Sequence, residues 1–268
     1  MNHAILRCPV CGQALTETDR TLRCEQNHCF DIAKEGYCNL NSAHRSGDNI
    51  GDNKDMARSR RDFLNKGFYA PLAEAVSQCV DGCTQEGDSV LDICCGEGYY
   101  TEYLTKRMER DFYGFDLSKN MVRLAAKRPC GATFFVANIA RIPIADGSVR
   151  AAFHLFAPFQ AAEFGRILAK DGTLFTAIPG RRHLFGLKEV LYDTPYENDE
   201  QKPQADGLKL TDEFRVKGGI TLESQDDIQA LFQMTPYYYH TPSKGMARLE
   251  QLGSLTTEIE FVIAAYQH

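Results

Sequence analysis

Apolar positions along the chain fall into short runs separated by polar, glycine-bearing turns, and their period changes from segment to segment. From Met56 to Val80 the pattern is helical, with Phe63, Leu64, Tyr69, Leu72 and Val76 on one face, and Gly67 and Pro71 divide it into two helices. From Val90 an apolar run stops at the acidic Asp92 and turns through closely spaced glycines into a helix, the pattern of a first strand-turn-helix in an α/β domain. Runs of the same kind occupy Asp111–Asp116, Ala132–Val136, Ala151–Ala157 and Gly172–Ile178. Ser118 is placed to cap a helix carrying Met121, Leu124 and Ala125, and Ser224 with Asp227 forms a capping box for a helix through Phe232. Thr257–Ala265 predicts a closing strand, Tyr192–Lys209 a polar surface excursion, and Asn41–Asp55 a loop or linker. A helix between each pair of strands predicts a mainly parallel α/β sheet with ligands at the strand C-terminal ends. Asp116, Asn138, Ala157 and Pro179 converge there.

Length and charge bound the possibilities. The 268 residues suffice for one α/β domain and a small appendage, and the net charge of −6 excludes a generally basic nucleic-acid coat. A local basic face remains open: Arg58, Arg60 and Arg61 are closely spaced, either as a solvated face or as phosphate contacts. No apolar run reaches membrane-spanning length, and the N-terminus lacks a signal peptide's apolar core and cleavage site. A cytoplasmic protein without membrane partners is expected. In that compartment ten cysteines are better read as metal ligands or free thiols than as disulfides.

Four N-terminal positions bear this out as a pattern. Cys8, Cys11, Cys24 and His28 follow the spacing C-x2-C-x12-C-x3-H, which suits one tetrahedral zinc ion joining a knuckle to the far end of a hairpin. Cys29 adjoins His28 and is an alternative fourth ligand. A segment this short cannot bury a core of its own, so the metal is expected to hold it folded.

The richest stretch is Val90–Tyr100, where the strand ends near Asp92 and turns through Gly96 and Gly98 towards a helix. Glycines at such a turn let a ligand lie against exposed N–H groups at the helix start. A dinucleotide fold would want a third glycine where Thr101 stands. The shorter form, Asp-x-x-x-Gly-x-Gly, resembles motif I of the class I S-adenosylmethionine-dependent methyltransferases. Cys94 replaces that pattern's usual first glycine and adds a Cβ at the turn. At the next strand end Asp116 is placed to accept hydrogen bonds from both ribose hydroxyls. Asn138, after the third strand, is the candidate contact for the adenine amino group, or else a polar loop residue. His154 sits within an apolar run and reads as a core histidine. The tyrosines of Gln233–His240 offer either packing or a stacking surface for a base.

The full series of motifs resembles one family, the large-subunit (23S) ribosomal RNA guanine-N1 methyltransferases. It comprises the zinc knuckle, Phe-Asp-Ile-Ala-Lys-Glu-Gly-Tyr-Cys-Asn-Leu ending at Leu40, Gly51-Asp52, Arg60-Arg61, Gly67-Phe-Tyr69-Ala-Pro-Leu, motif I, Pro179-Gly-Arg-Arg-His183-Leu and Gln233-Met-Thr-Pro. The resemblance implies a zinc-binding domain over 1–40, a linker and helical region over 41–82, and a Rossmann-like methyltransferase domain over 83–268. It implies Cys8, Cys11, Cys24 and His28 as zinc ligands, and Tyr69, Gly96, Glu97 and His183 around S-adenosylmethionine, beside Asp92, Gly98, Asp116 and Asn138. A homodimer acting on ribosomal RNA is implied too, and a hairpin is the cheapest donor of a splayed guanine. No residue stands out as the base that takes the N1 proton. Two rival readings remain: a small-molecule methyltransferase with a structural zinc, and a non-catalytic zinc adaptor, which would have no need of Asp116.

Overall fold

The computed structural model describes residues 2–41, 54–205 and 207–268. Most of the loop expected over Asn41–Asp55, with Gly51 and Asp52, lies outside the described residues. The N-terminal segment forms three short antiparallel strands, β1 (Thr16–Thr18), β2 (Thr21–Arg23) and β3 (Cys29–Asp31), and then β4 (Cys38–Asn39). Helices α1 (Lys54–Asn65) and α2 (Ala70–Asp81) follow, divided at Gly67, whose φ of +80° suits glycine, and with Pro71 in the first turn of α2.

The main chain order continues through β5 (Ser89–Ile93), α3 (Tyr99–Thr105), β6 (Asp111–Asp116), α4 (Lys119–Ala125), β7 (Thr133–Val136), β8 (Val149–Leu155) and α5 (Ala161–Ile167). It ends with β9 (Leu168–Pro179), α6 (Phe185–Leu191), β10 (Lys209–Leu222), α7 (Gln225–Gln233), α8 (Ser243–Glu250) and β11 (Leu255–Gln267). Eight strands form one sheet in the order β10-β11-β9-β8-β5-β6-β7-β4. The six from β9 to β4 run parallel, while β11 and β10 close the sheet antiparallel. Ser118 and Ser224 cap α4 and α7 by accepting from the Met121 and Asp227 amides.

Alternate residues of β5 feed two cores. Val90 faces Leu72, Val76 and Val80 of α2, and Leu104 of α3; Leu91 and Ile93 face the other side with Phe164 and Ile167 of α5. On that second side the expected alternation of strand and helix fails, because residues 137–148 between β7 and β8 contain no helix. The N-terminal segment covers the gap. Arg7 N donates to Pro143 O at 2.9 Å, Ala145 N donates to Ile5 O at 2.9 Å, and Leu6, Leu15 and Leu22 are buried against Ile142 and Ile144. Residues 2–40 therefore supply both a cover for this core and, through β4, an edge strand of the sheet.

Strand β10 was hidden within sequence that reads as polar. Asp212, Glu213, Arg215 and Lys217 mask its period because both faces of this edge strand are largely exposed from Lys209 to Gly219, and such charges discourage further pairing.

Candidate functional site

Two sites emerge, one in each part of the chain. In the first, donor atoms of Cys8, Cys11, Cys24 and His28 all lie within 4.8 Å of one another. His28 Nδ1 stands 3.5 Å from Cys8 Sγ and 3.3 Å from Cys24 Sγ, and Cys11 Sγ stands 3.6 Å from Cys24 Sγ. Tetrahedral bonds of about 2.0 to 2.3 Å would set such separations at about 3.3 to 3.8 Å, so this donor set fits one closed zinc site. Two tight turns produce the convergence: Gly12 N donates to Cys8 O and Asn27 N to Cys24 O, with φ of +78° at Gly12 and +62° at Asn27. Cys29, the alternative ligand, is exposed, bonds Asn27 O through its thiol and stays outside the cluster.

The second site is a cavity of about 400 Å³ at the C-terminal ends of β5, β6, β7 and β8. Its walls include Tyr69, Asp92, Gly96, Glu97, Asp116 and Asn138, six of the eight residues singled out for the cofactor. Gly98 and His183 stand behind it. Gly98 caps α3 with φ of +81°, and a Cβ there would approach Ala125 Cβ to 3.0 Å, so this glycine serves helix packing. His183 backs Tyr69. Its Nδ1 accepts from the Glu260 amide at 3.2 Å, which leaves Nε2 to carry the proton of the neutral ring and donate to Tyr69 Oη at 3.3 Å. Burial lowers the His183 pKa to about 3, so the ring stays neutral at physiological pH.

Each carboxylate in the wall is positioned by a specific donor. Asp92 is buried and accepts from the hydroxyl of Thr101 at 2.6 Å; the residue that replaces a third glycine thus serves the motif's acid. Burial pushes the Asp92 carboxyl up to about 7, Asp116 adds to the rise, and Thr101 opposes it. Asp116 accepts from Gly96 N at 3.1 Å and Ser118 N at 2.8 Å, fastening the glycine turn to the head of α4. Glu97 is held by Arg128, whose Nε donates to its Oε2 at 2.9 Å, yet Oε1 is buried without a partner among the described residues. Its pKa is raised by burial, against the pull of Arg128.

These features fit S-adenosylmethionine. Its sulfonium and ammonium groups are positive, the walls carry three carboxylates, and Glu97 Oε1 lacks a donor. Nothing lies within 4 Å of a Cβ built on Gly96, whose φ is +54°, so the turn leaves open space for a ligand. Cys94 adopts φ of +59° despite its side chain, an unfavourable region that the family's glycine would occupy without cost.

Sequence reasoning missed several parts. Arg60 lines the cavity, whereas Arg58 and Arg61 are exposed, so the three arginines do not make one face. Residues 58 and 61 are neighbours on a helix and residue 60 points elsewhere, a separation that helical spacing could have flagged. Phe156 also lines the cavity. Asn138 does so as well, and its Oδ1 accepts from Ala140 N at 2.9 Å within the loop. His154 is a satisfied core residue, bonded to Thr176 Oγ1 and Pro158 O, with its pKa lowered to about 4 by burial. The three tyrosines of residues 237–239 do not reach the cavity; Tyr237 bonds Asn198, Tyr238 packs on Phe232 and Tyr239 bonds Met56.

Sheet order, glycine turn, strand-end acids and cavity together define a class I S-adenosylmethionine-dependent methyltransferase carrying an N-terminal zinc ribbon. Known proteins agree: the family model described as "RlmA, N-terminal" matches residues 6–45, and that of a methyltransferase domain matches residues 90–172. The 23S rRNA (guanine(748)-N(1))-methyltransferase of Streptomyces fradiae is 31% identical over 271 residues, covering 96% of this chain and 95% of that one. Relatives from Micromonospora griseorubida (31% identical, 94% of this chain, 93% of theirs) and Bacillus subtilis (27%, 98% and 98%) bear names that assign 23S rRNA guanine-N1 methylation provisionally. The chain belongs to the 23S rRNA guanine-N1 methyltransferase family.

Proposed function

We propose that this protein transfers a methyl group from S-adenosylmethionine to N1 of a guanine in 23S ribosomal RNA. The observation that carries the reading is the relation to the Streptomyces fradiae enzyme, which runs through the zinc segment and the methyltransferase domain alike. In this reading Cys8, Cys11, Cys24 and His28 hold a structural zinc with no open coordination position. Asp116 accepts from the ribose hydroxyls, Asn138 meets the adenine, and Asp92, Glu97 and the Gly96 turn hold the methionine part, with Tyr69 fixed from behind by His183.

Bound S-adenosylmethionine supplies an electrophilic methyl group, and the protein's share is alignment and proton handling. Guanine N1 is protonated at neutral pH and must lose that proton as the methyl arrives. Arg60 is the one cation in the described cavity wall. A positive charge facing the guanine carbonyl favours the deprotonated base, so we assign this role to Arg60. Exposed Arg58 and Arg61 are left for phosphate contacts.

Finer parts of the proposal are a hairpin substrate, a homodimer and a cytoplasmic location. An unpaired loop guanine is supported by the lower cost of extruding it. A second copy would cover Leu210 and Phe214, exposed on edge strand β10. Among the described residues no helix is long and apolar enough to cross a membrane. Incubation with cofactor labelled in the methyl group should label unmodified 23S rRNA and leave free nucleosides unlabelled; the reverse outcome would support a small-molecule enzyme.

A further inference from the structure

The β8 strand ends in an unusual turn. Phe156 has φ of +59°, a conformation that costs a side-chain-bearing residue energy, and its ring is 45% exposed although the preceding strand is buried. Such strain persists only where the surroundings fix it. Here they do: buried His154 donates from Nε2 to Pro158 O at 3.0 Å and is itself fixed by Thr176 at Nδ1. On one side the Phe156 ring leans on buried Phe261, with centroids 5.7 Å apart, and Phe261 in turn packs on Tyr69 at 5.1 Å. Phe156 lines the same cavity as Asp116, Arg60 and Tyr69.

An aromatic residue that is half exposed, backed by Phe261 and set in the wall of the cavity suits stacking against a flat, extruded base. We propose that Phe156 is the stacking platform for the target guanine. The inference rests on the RNA reading given above. It replaces the tyrosines of residues 237–239 in that role, since Phe156 lines the cavity and these do not. Stacking belongs to the extruded state alone. Its loss should therefore lower kcat at saturating RNA, leaving KM for RNA, set by contacts outside the cavity, nearly unchanged.

Four variants test this with a 23S rRNA transcript: Phe156→Ala, Phe156→Gly, Phe156→Tyr and Phe156→Trp. Removing one base–aromatic stack should lower kcat roughly 5- to 150-fold in the Ala and Gly variants. The Tyr and Trp variants should stay within about threefold of wild type, because both retain a stacking face. Gly should melt no lower than Ala, since it relieves the positive φ. Cofactor affinity, measured by calorimetry, should stay within about twofold in all four, as expected if the ring faces the base. Overturning results are a fall in cofactor affinity matching the loss of kcat, a rise in KM alone, or Ala and Gly variants as fast as wild type. Wild-type enzyme that leaves the transcript unmethylated would overturn the substrate reading and this inference together, which separates the two failures.

Discussion

Replacing Asp92 by Asn should flatten the protein's pH–stability curve in a way that reports the burial of this one acid. The carboxyl is 3% exposed and sits at about 7 against an ordinary value of 3.8. That difference of about 3 units corresponds to about 4 kcal/mol at about 1.4 kcal/mol per unit. The sign follows from which state releases its proton first. Below about 4 both folded and unfolded chains hold it; between about 4 and 7 the unfolded chain releases it and stability falls; above 7 both are ionised and the loss is complete. Asn carries no titrating proton and keeps an oxygen that can accept from Thr101. Urea unfolding of both proteins without cofactor, from pH 5 to 8, should show wild type losing about 2 to 3 kcal/mol relative to the variant, mostly below pH 7. Saturating S-adenosylmethionine should shrink that difference, because positive charge beside Asp92 favours its ionised form. Parallel curves without cofactor would refute the assignment of Asp92 as a buried acid of raised pKa.

Three further outcomes follow from named contacts. Cys24→Ser should lose bound zinc on metal analysis and expose the N-terminal segment to protease, while Cys29→Ser should keep one zinc per chain, since Cys29 is outside the cluster. Gly98→Ala should lower stability by about 2 to 4 kcal/mol, from an unfavourable positive φ and the 3.0 Å approach to Ala125, and urea unfolding reads the loss. Asp116→Ala should weaken S-adenosylmethionine binding at least about tenfold by calorimetry, since the two ribose hydrogen bonds proposed for this charged acceptor would be lost. It should also melt lower, because the Gly96 and Ser118 amides lose their acceptor.

Much of this was legible in the sequence because the signals are local. Spacing alone brought out the four metal donors, since knuckle turns need only short-range geometry. Gly96, Asp92 and Asp116 were legible because strand ends and glycine turns repeat in this fold. What escaped depends on distant contacts. The absent helix between β7 and β8 could not be read from residues 137–148, because its substitute, Leu6 with its neighbours, lies more than a hundred residues earlier. β10 escaped because most of this edge strand is exposed on both faces and carries charge, which leaves no alternation to read. Arg60 was read only as part of a basic cluster and Phe156 was not singled out at all, because only the folded chain turns them to the cavity. Conversely, His183 was placed at the cofactor by resemblance, and it stands one residue behind, acting on Tyr69.

Primer extension on 23S rRNA treated with the enzyme and S-adenosylmethionine tests the central claim most directly. A methyl group on guanine N1 blocks the Watson–Crick edge, so reverse transcription should stop at one guanine, and a nuclease digest should contain N1-methylguanosine. Treated RNA that is read through without a stop, or that carries its methyl group on another atom or base, would contradict the account.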